Sequence, residues 1–172
     1  MRRLLGPRLE ELTGAHVSGE IPLTEAVLNR VIAERLAASE TPVESAVLQV
    51  RAAGELFVRV KLRRPAFAPP VIIGARVEQQ PDLPRSAVLG LQWWLPGLGA
   101  LAALAAPALS FLKAGPPWLT MDGQRLLVDL ARLLREQGAA ELLTHLSSLH
   151  VGTREGAVLV RFALDVRGGE TS

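Results

Sequence analysis

The sequence predicts an α+β fold built on an antiparallel sheet. Three observations predict it. Several stretches alternate apolar and polar residues with a period of two; short turns at Ala53-Gly54 and Glu155-Gly156 join pairs of them as hairpins; and strands and helices come in separate runs. A parallel sheet would demand strict strand–helix alternation, whereas hairpins and segregated helices belong to an α+β architecture.

Taking the elements in order, residues 15–23, AHVSGEIPL, set Ala15, Val17, Gly19, Ile21 and Leu23 against His16, Ser18 and Glu20, the pattern of a half-buried strand. Thr24 then caps a helix, TEAVLNRVIAERLAA, whose Val27, Leu28, Val31, Ile32 and Leu36 share one face, and Thr41-Pro42 ends it. Glu44–Ala52 and Glu55–Arg63 form a hairpin. In its second arm Leu56, Val58, Val60 and Leu62 face inward and Phe57, Arg59, Lys61 and Arg63 outward. Pro65, Pro69 and Pro70 mark a loop before a strand at Val71–Gln79. Ser86–Trp94 is a further strand, apolar on both faces, so cover is expected on both sides. Leu119–Met121 reads as a short strand ending in the Asp122-Gly123 turn. LLVDLARLLREQG reads as a helix stopped by Gly138, and AAELLTHLSSL as another. A hairpin of Leu149–Thr153 and Ala157–Val166 closes the chain. A single domain over residues 1–167 with a disordered GGETS tail, 168–172, follows.

Charge is sparse but uneven. The formal net charge is only +2, yet the pI is about 9.9, because 17 of the 19 bases are Arg. Between Arg51 and Arg76 there are six bases against Glu55 alone. Such a face suits an anionic partner, or is a solvated outer sheet face. Cysteine is absent, which excludes a disulfide framework and thiolate chemistry. The N-terminal MRRLLGPRLEELTG lacks the apolar core of a signal peptide and reads as a short basic amphipathic helix, giving a cytoplasmic expectation.

From Ser86 to Leu112 no residue is charged. The length would permit a membrane span, but Gly90, Gln92, Pro96, Gly97, Gly99 and Pro107 interrupt it and strand-like sequence runs into it. Gly97-Leu98-Gly99-Ala100-Leu101-Ala102 fits a loose dinucleotide-loop pattern, but Pro107 would break the helix such a loop needs. The third reading is an apolar helix, kinked at Pro107, lying in the concave face of the sheet. Leu98, Leu101, Leu104, Leu109 and Leu112 would then face the strands.

Chemistry is hard to find. His145 and His150 stand five apart, not three or four, and no acid accompanies them, so no metal site is expected. There is no G-x-S-x-G elbow and no Walker loop. Asp122 fits its turn and Asp129 the exposed face of the following helix. No enzyme and no cofactor is expected. Nucleic-acid binding would call for aromatics among the basic strands, where only Phe57 and Phe67 are found.

SGEIPLTEAVLNRVI near the start and LTMDGQRLLVDLARLLREQGAAELLTHLSSLHVGTREGAVLVRF near the end resemble the small bacterial members of the tubular lipid-binding (TULIP) superfamily. The resemblance implies a strongly curved antiparallel sheet wrapped around a long apolar helix, with flanking helices, an apolar channel for lipid, and no catalysis. Its bacterial members are often exported or lipid-anchored; with no export signal and no cysteine read here, an envelope role is not expected.

The functional expectation is therefore a lipid or other hydrophobic ligand held in a groove. One wall is residues 95–112, including the five leucines named above. The other is Leu56, Val58, Val60, Val71, Ile73, Leu89, Leu91 and Trp93. Arg2, Arg3, Arg8, Arg59, Lys61, Arg63 and Arg64 would bring it peripherally to an anionic membrane. The rival expectation is an interaction module without a cavity, with a second copy of the chain as a candidate partner.

Overall fold

The computed structural model describes residues 14–38, 40–63, 69–97 and 117–166. The order is β1 (His16–Thr24), α1 (Glu25–Ala37), β2 (Val43–Val50), β3 (Glu55–Leu62), β4 (Val71–Gln79), β5 (Val88–Trp94), β6 (Leu119–Asp122), β7 (Arg125–Asp129), α2 (Leu130–Glu136), α3 (Glu141–His145), β8 (Leu146–Arg154) and β9 (Ala157–Asp165). The strands form two antiparallel sheets, one of three strands in the order β1-β9-β8 and one of six in the order β2-β3-β4-β5-β7-β6.

Local chemistry explains the joints. Thr24 ends β1 and caps α1 by accepting from the Val27 N–H. Ala53 and Gly54, at φ 60° and 82°, close the tight β2–β3 reversal, in which Arg51 N–H donates to Glu55 O across a three-residue loop. The described core lies where α1 meets the large sheet. Leu36 of α1 packs with Val43, Val60, Leu62, Val71 and Ile73, and Ile32, Val58, Trp93 and Leu95 pack against that cluster.

The two sheets are moored by polar bonds near the β8–β9 turn. Gly156 N–H donates to Val50 O, Gly54 N–H to Thr153 Oγ1, and Arg51 pairs with Glu155. Gln80, just past β4, acts as a one-residue strand: its amide donates to Val151 O at 2.7 Å and accepts from Val151 N–H at 2.8 Å. The outer side of β2 is closed in the same manner by α1. Asn29 accepts from Leu48 N–H and donates to Leu48 O, and Glu25 accepts from Val50 N–H.

Antiparallel sheets with some helices are what the sequence led one to expect, but the expected shape is corrected. The described residues do not form a sheet wrapped around a long apolar helix. They form two sheets, and their helices are only 13, 7 and 5 residues long. Much of the sequence expected to be helical near the C-terminus is strand. Residues 125–129 pair with both β5 and β6, because the Asp122-Gly123 turn, with Gly123 at φ 57°, folds them back as a hairpin. Asp129 is then the N-cap of α2, accepting from Arg132 N–H, and not a residue on the exposed face of a helix. Residues 146–148 belong to β8. The expected N-terminal helix, the tail 168–172, and Leu98, Leu101, Leu104, Leu109 and Leu112 fall outside the described residues. No helix among the described residues is long and apolar enough to cross a membrane.

Candidate apolar binding face

Strand register decides which side chains share a face, because successive residues point to opposite sides. On the large sheet Ala46, Leu48 and Val50 of β2 lie across from Val60, Val58 and Leu56 of β3. These continue to Val71, Ile73 and Ala75 of β4, then to Trp93 and Leu91 of β5. Leu89 and Leu91 oppose Val128 and Leu126 of β7, which oppose Leu119 and Met121 of β6. Every side chain on this inner face is apolar; the one polar atom, Nε1 of Trp93, is spent on Gly123 O at 3.1 Å.

The eight described residues expected to line a ligand site, Leu56, Val58, Val60, Val71, Ile73, Leu89, Leu91 and Trp93, thus do share one face. They divide by burial. Val60, Val71 and Ile73 are buried in the α1 core, so they hold the fold together. Leu89 is also buried, whereas Leu56, Leu91 and Trp93 are half-buried. The half-buried part continues onto Leu126, Val128, Leu119 and Met121, which sequence reasoning missed by reading 126–138 as a helix. The signal was present: an Asp-Gly turn flanked by Leu119, Met121 and by Leu126, Val128 is a hairpin pattern.

The small sheet is two-sided as well. Val17, Gly19, Ile21 and Leu23 of β1 oppose Leu164, Phe162, Val160 and Val158 of β9, which oppose Leu146, Leu149, Val151 and Thr153 of β8. Val17 and Ile21 are 38% and 48% exposed, and on α1 Val27 and Val31 are 38% and 49% exposed.

The outer face of the large sheet differs from the expected basic platform. Acids meet its bases: Glu44, Glu55 and Glu78 of the same sheet pair with Lys61, Arg76 and Arg125, and Glu155 of the β8–β9 turn pairs with Arg51. Of the residues expected at a membrane surface, Arg59 and Arg63 are exposed with no acid partner among the described residues; Arg63 Nε donates to Val43 O. Arg2, Arg3, Arg8 and Arg64 lie outside the described residues. On this face Trp94 covers Gly74, meets Phe57 edge-on at 5.9 Å between ring centroids, and lies under the Arg76 guanidinium.

Clefts are also found beyond the half-buried part of the inner face. One of about 550 Å³ separates α1 from β2, lined by Asn29, Ala33, Leu36, Ala46, Val47 and Arg63 among others. Another of about 370 Å³ lies over the polar side of the small sheet, around Ser18, Glu20, Ser148, His150 and Arg161. Glu20 is tied to Arg161 there, and no serine is bonded to a histidine. Among the described residues no three His, Cys, Asp or Glu gather as metal ligands. No family model, curated protein or solved structure matches this chain.

Proposed function

We propose that the protein binds a lipid or another hydrophobic molecule without catalysis, on the inner face of the six-stranded sheet. One observation carries this: across all six strands that face presents no polar side chain, and beyond the α1 core most of it, from Leu56 and Leu91 to Leu126, Val128, Leu119 and Met121, is half-buried. With no donor or acceptor left to orient a polar substrate, selectivity rests on apolar area and shape.

Magnitudes narrow the ligand class. Each methylene removed from water contributes about 0.8 kcal/mol, while association costs roughly 4–15 kcal/mol before any gain appears. A guest held by apolar contact alone therefore needs on the order of ten buried methylenes. That favours long acyl chains over small aromatics. Arg59 and Arg63, without an acid partner among the described residues, lie on the opposite face, so an anionic membrane surface and the ligand face are on different sides of the sheet.

The test is extraction of the protein purified without detergent, followed by mass spectrometry. The expected result is co-purifying acyl-chain lipid in an amount comparable to the protein. A blank extract, together with no uptake of added fatty acid, would contradict the proposal.

A further inference from the structure

Every sheet edge carries unpaired backbone groups that invite another strand, and folds usually guard them. Here β2 is guarded by Asn29 and Glu25 and β8 by Gln80, each imitating a partner strand. The third long edge, β1, is treated differently. It runs nine residues, and all but Leu23 are exposed.

The hydrogen-bond phase of β1 fixes which groups point outward. Val166 N–H donates to Ala15 O and Glu25 N–H to Gly156 O, so the odd-numbered residues face β9. His16, Ser18, Glu20, Pro22 and Thr24 then turn their backbone outward. Pro22 has no N–H and blunts that end. Among the described residues, no group bonds to the outward backbone of His16, Ser18 or Glu20.

We propose that β1 pairs antiparallel with β1 of a second copy of this chain about a two-fold axis at Ser18, joining the two small sheets into one of six strands. The charge layout selects this occupant and this register. Arg161 pairs with Glu20 and Asp165 with His16. Centred on Ser18, the pairing sets Glu20 opposite His16 of the other copy. The row then runs Arg161, Glu20, His16, Asp165 across the junction with no like charges opposed. Centring on Glu20 or on His16 would oppose identical ionisable groups, and centring on Glu20 would also draw Pro22 further into the ladder. On the apolar side Val17 comes opposite the other copy's Gly19, over which the Phe162 ring lies 3.1 Å from where a Cβ would be. The exposed Val17 thus meets an aromatic surface, and the interface is isologous and closed.

The test exploits a chain without cysteine. In this register the two Ser18 Cα atoms stand about 5.5 Å apart, inside the range that a disulfide bridges. The two Thr24 positions stand roughly 40 Å apart at about 3.3 Å per residue. Ser18→Cys should form a disulfide-linked dimer under mild oxidation and Thr24→Cys should not. Sedimentation should give a dimer for the unmodified chain and a monomer for Ser18→Pro, which removes only an outward donor. A monomeric unmodified chain that Ser18→Cys fails to cross-link would overturn the proposal. So would cross-linking equal at both cysteine positions, or a dimer unmoved by a folded Ser18→Pro. If Ser18→Pro does not fold, the contrast between the two cysteine variants decides alone.

Discussion

Gly74→Ala is expected to destabilise the protein by about 1–3 kcal/mol, the usual cost of forcing an extra methyl into a filled site. A Cβ on Gly74 would come within 2.7 Å of Trp94 Cζ2 and Nε1, closer than such atoms can approach. Trp94 would have to leave its edge-on contact with Phe57 and its place beneath Arg76. At roughly 2–4 °C per kcal/mol for a chain of this size, the fall in Tm is readily measured. The clean control is the Trp94→Leu background, where the obstruction is smaller and the same substitution should cost markedly less. An unchanged Tm with unchanged tryptophan emission would show that Trp94 does not sit over Gly74.

The second large effect concerns binding. Leu91→Glu sets a carboxylate on the half-buried part of the inner face, between Val77 and Leu126. An ionised group against apolar surface costs several kcal/mol unless it reaches water. Affinity for a fluorescent long-chain fatty acid should therefore fall at least tenfold, which is about 1.4 kcal/mol or more. Gln92→Glu, one residue along, adds the same charge on the opposite face beside Arg125. It should leave affinity unchanged. Equal effects of the two variants would mean that the inner face is not where the probe lies.

How far the sequence could be read depended on what each signal resolves. Period-two alternation placed β1 and β3 within one residue at each end, because a half-buried strand must alternate, and turn signals with apolar runs placed β2, β4 and β5 within two. It also set Leu56, Val58 and Val60 on one face and Phe57, Arg59 and Lys61 on the other, as the pairing register has them. Residues 126–130, Leu-Leu-Val-Asp-Leu, defeated it. Leucines at that spacing satisfy a helical stripe as well as a buried strand, and the deciding fact is non-local: pairing with β5 on one side and β6 on the other. The apolar helix expected over 95–112 falls almost wholly outside the described residues, whose own helices are short. The basic window from Arg51 to Arg76 could be read in the sequence only as a count of charges, because Glu44 and Glu155 reach Lys61 and Arg51 only in the folded chain. The edge guards were equally hidden. Nothing local in the sequence marks Asn29, Glu25 or Gln80 as surrogates for a strand.

The most direct measurement is photo-cross-linking with a diazirine-bearing fatty acid, followed by peptide mapping. Adducts are expected on the inner-face positions of β3 to β7, Leu56, Leu91, Trp93, Leu126 and Val128 among them, and should be competed away by unlabelled fatty acid. Adducts confined to outer-face residues such as Val47 and Ile72, or labelling that competitor does not reduce, would contradict an apolar ligand site on this sheet.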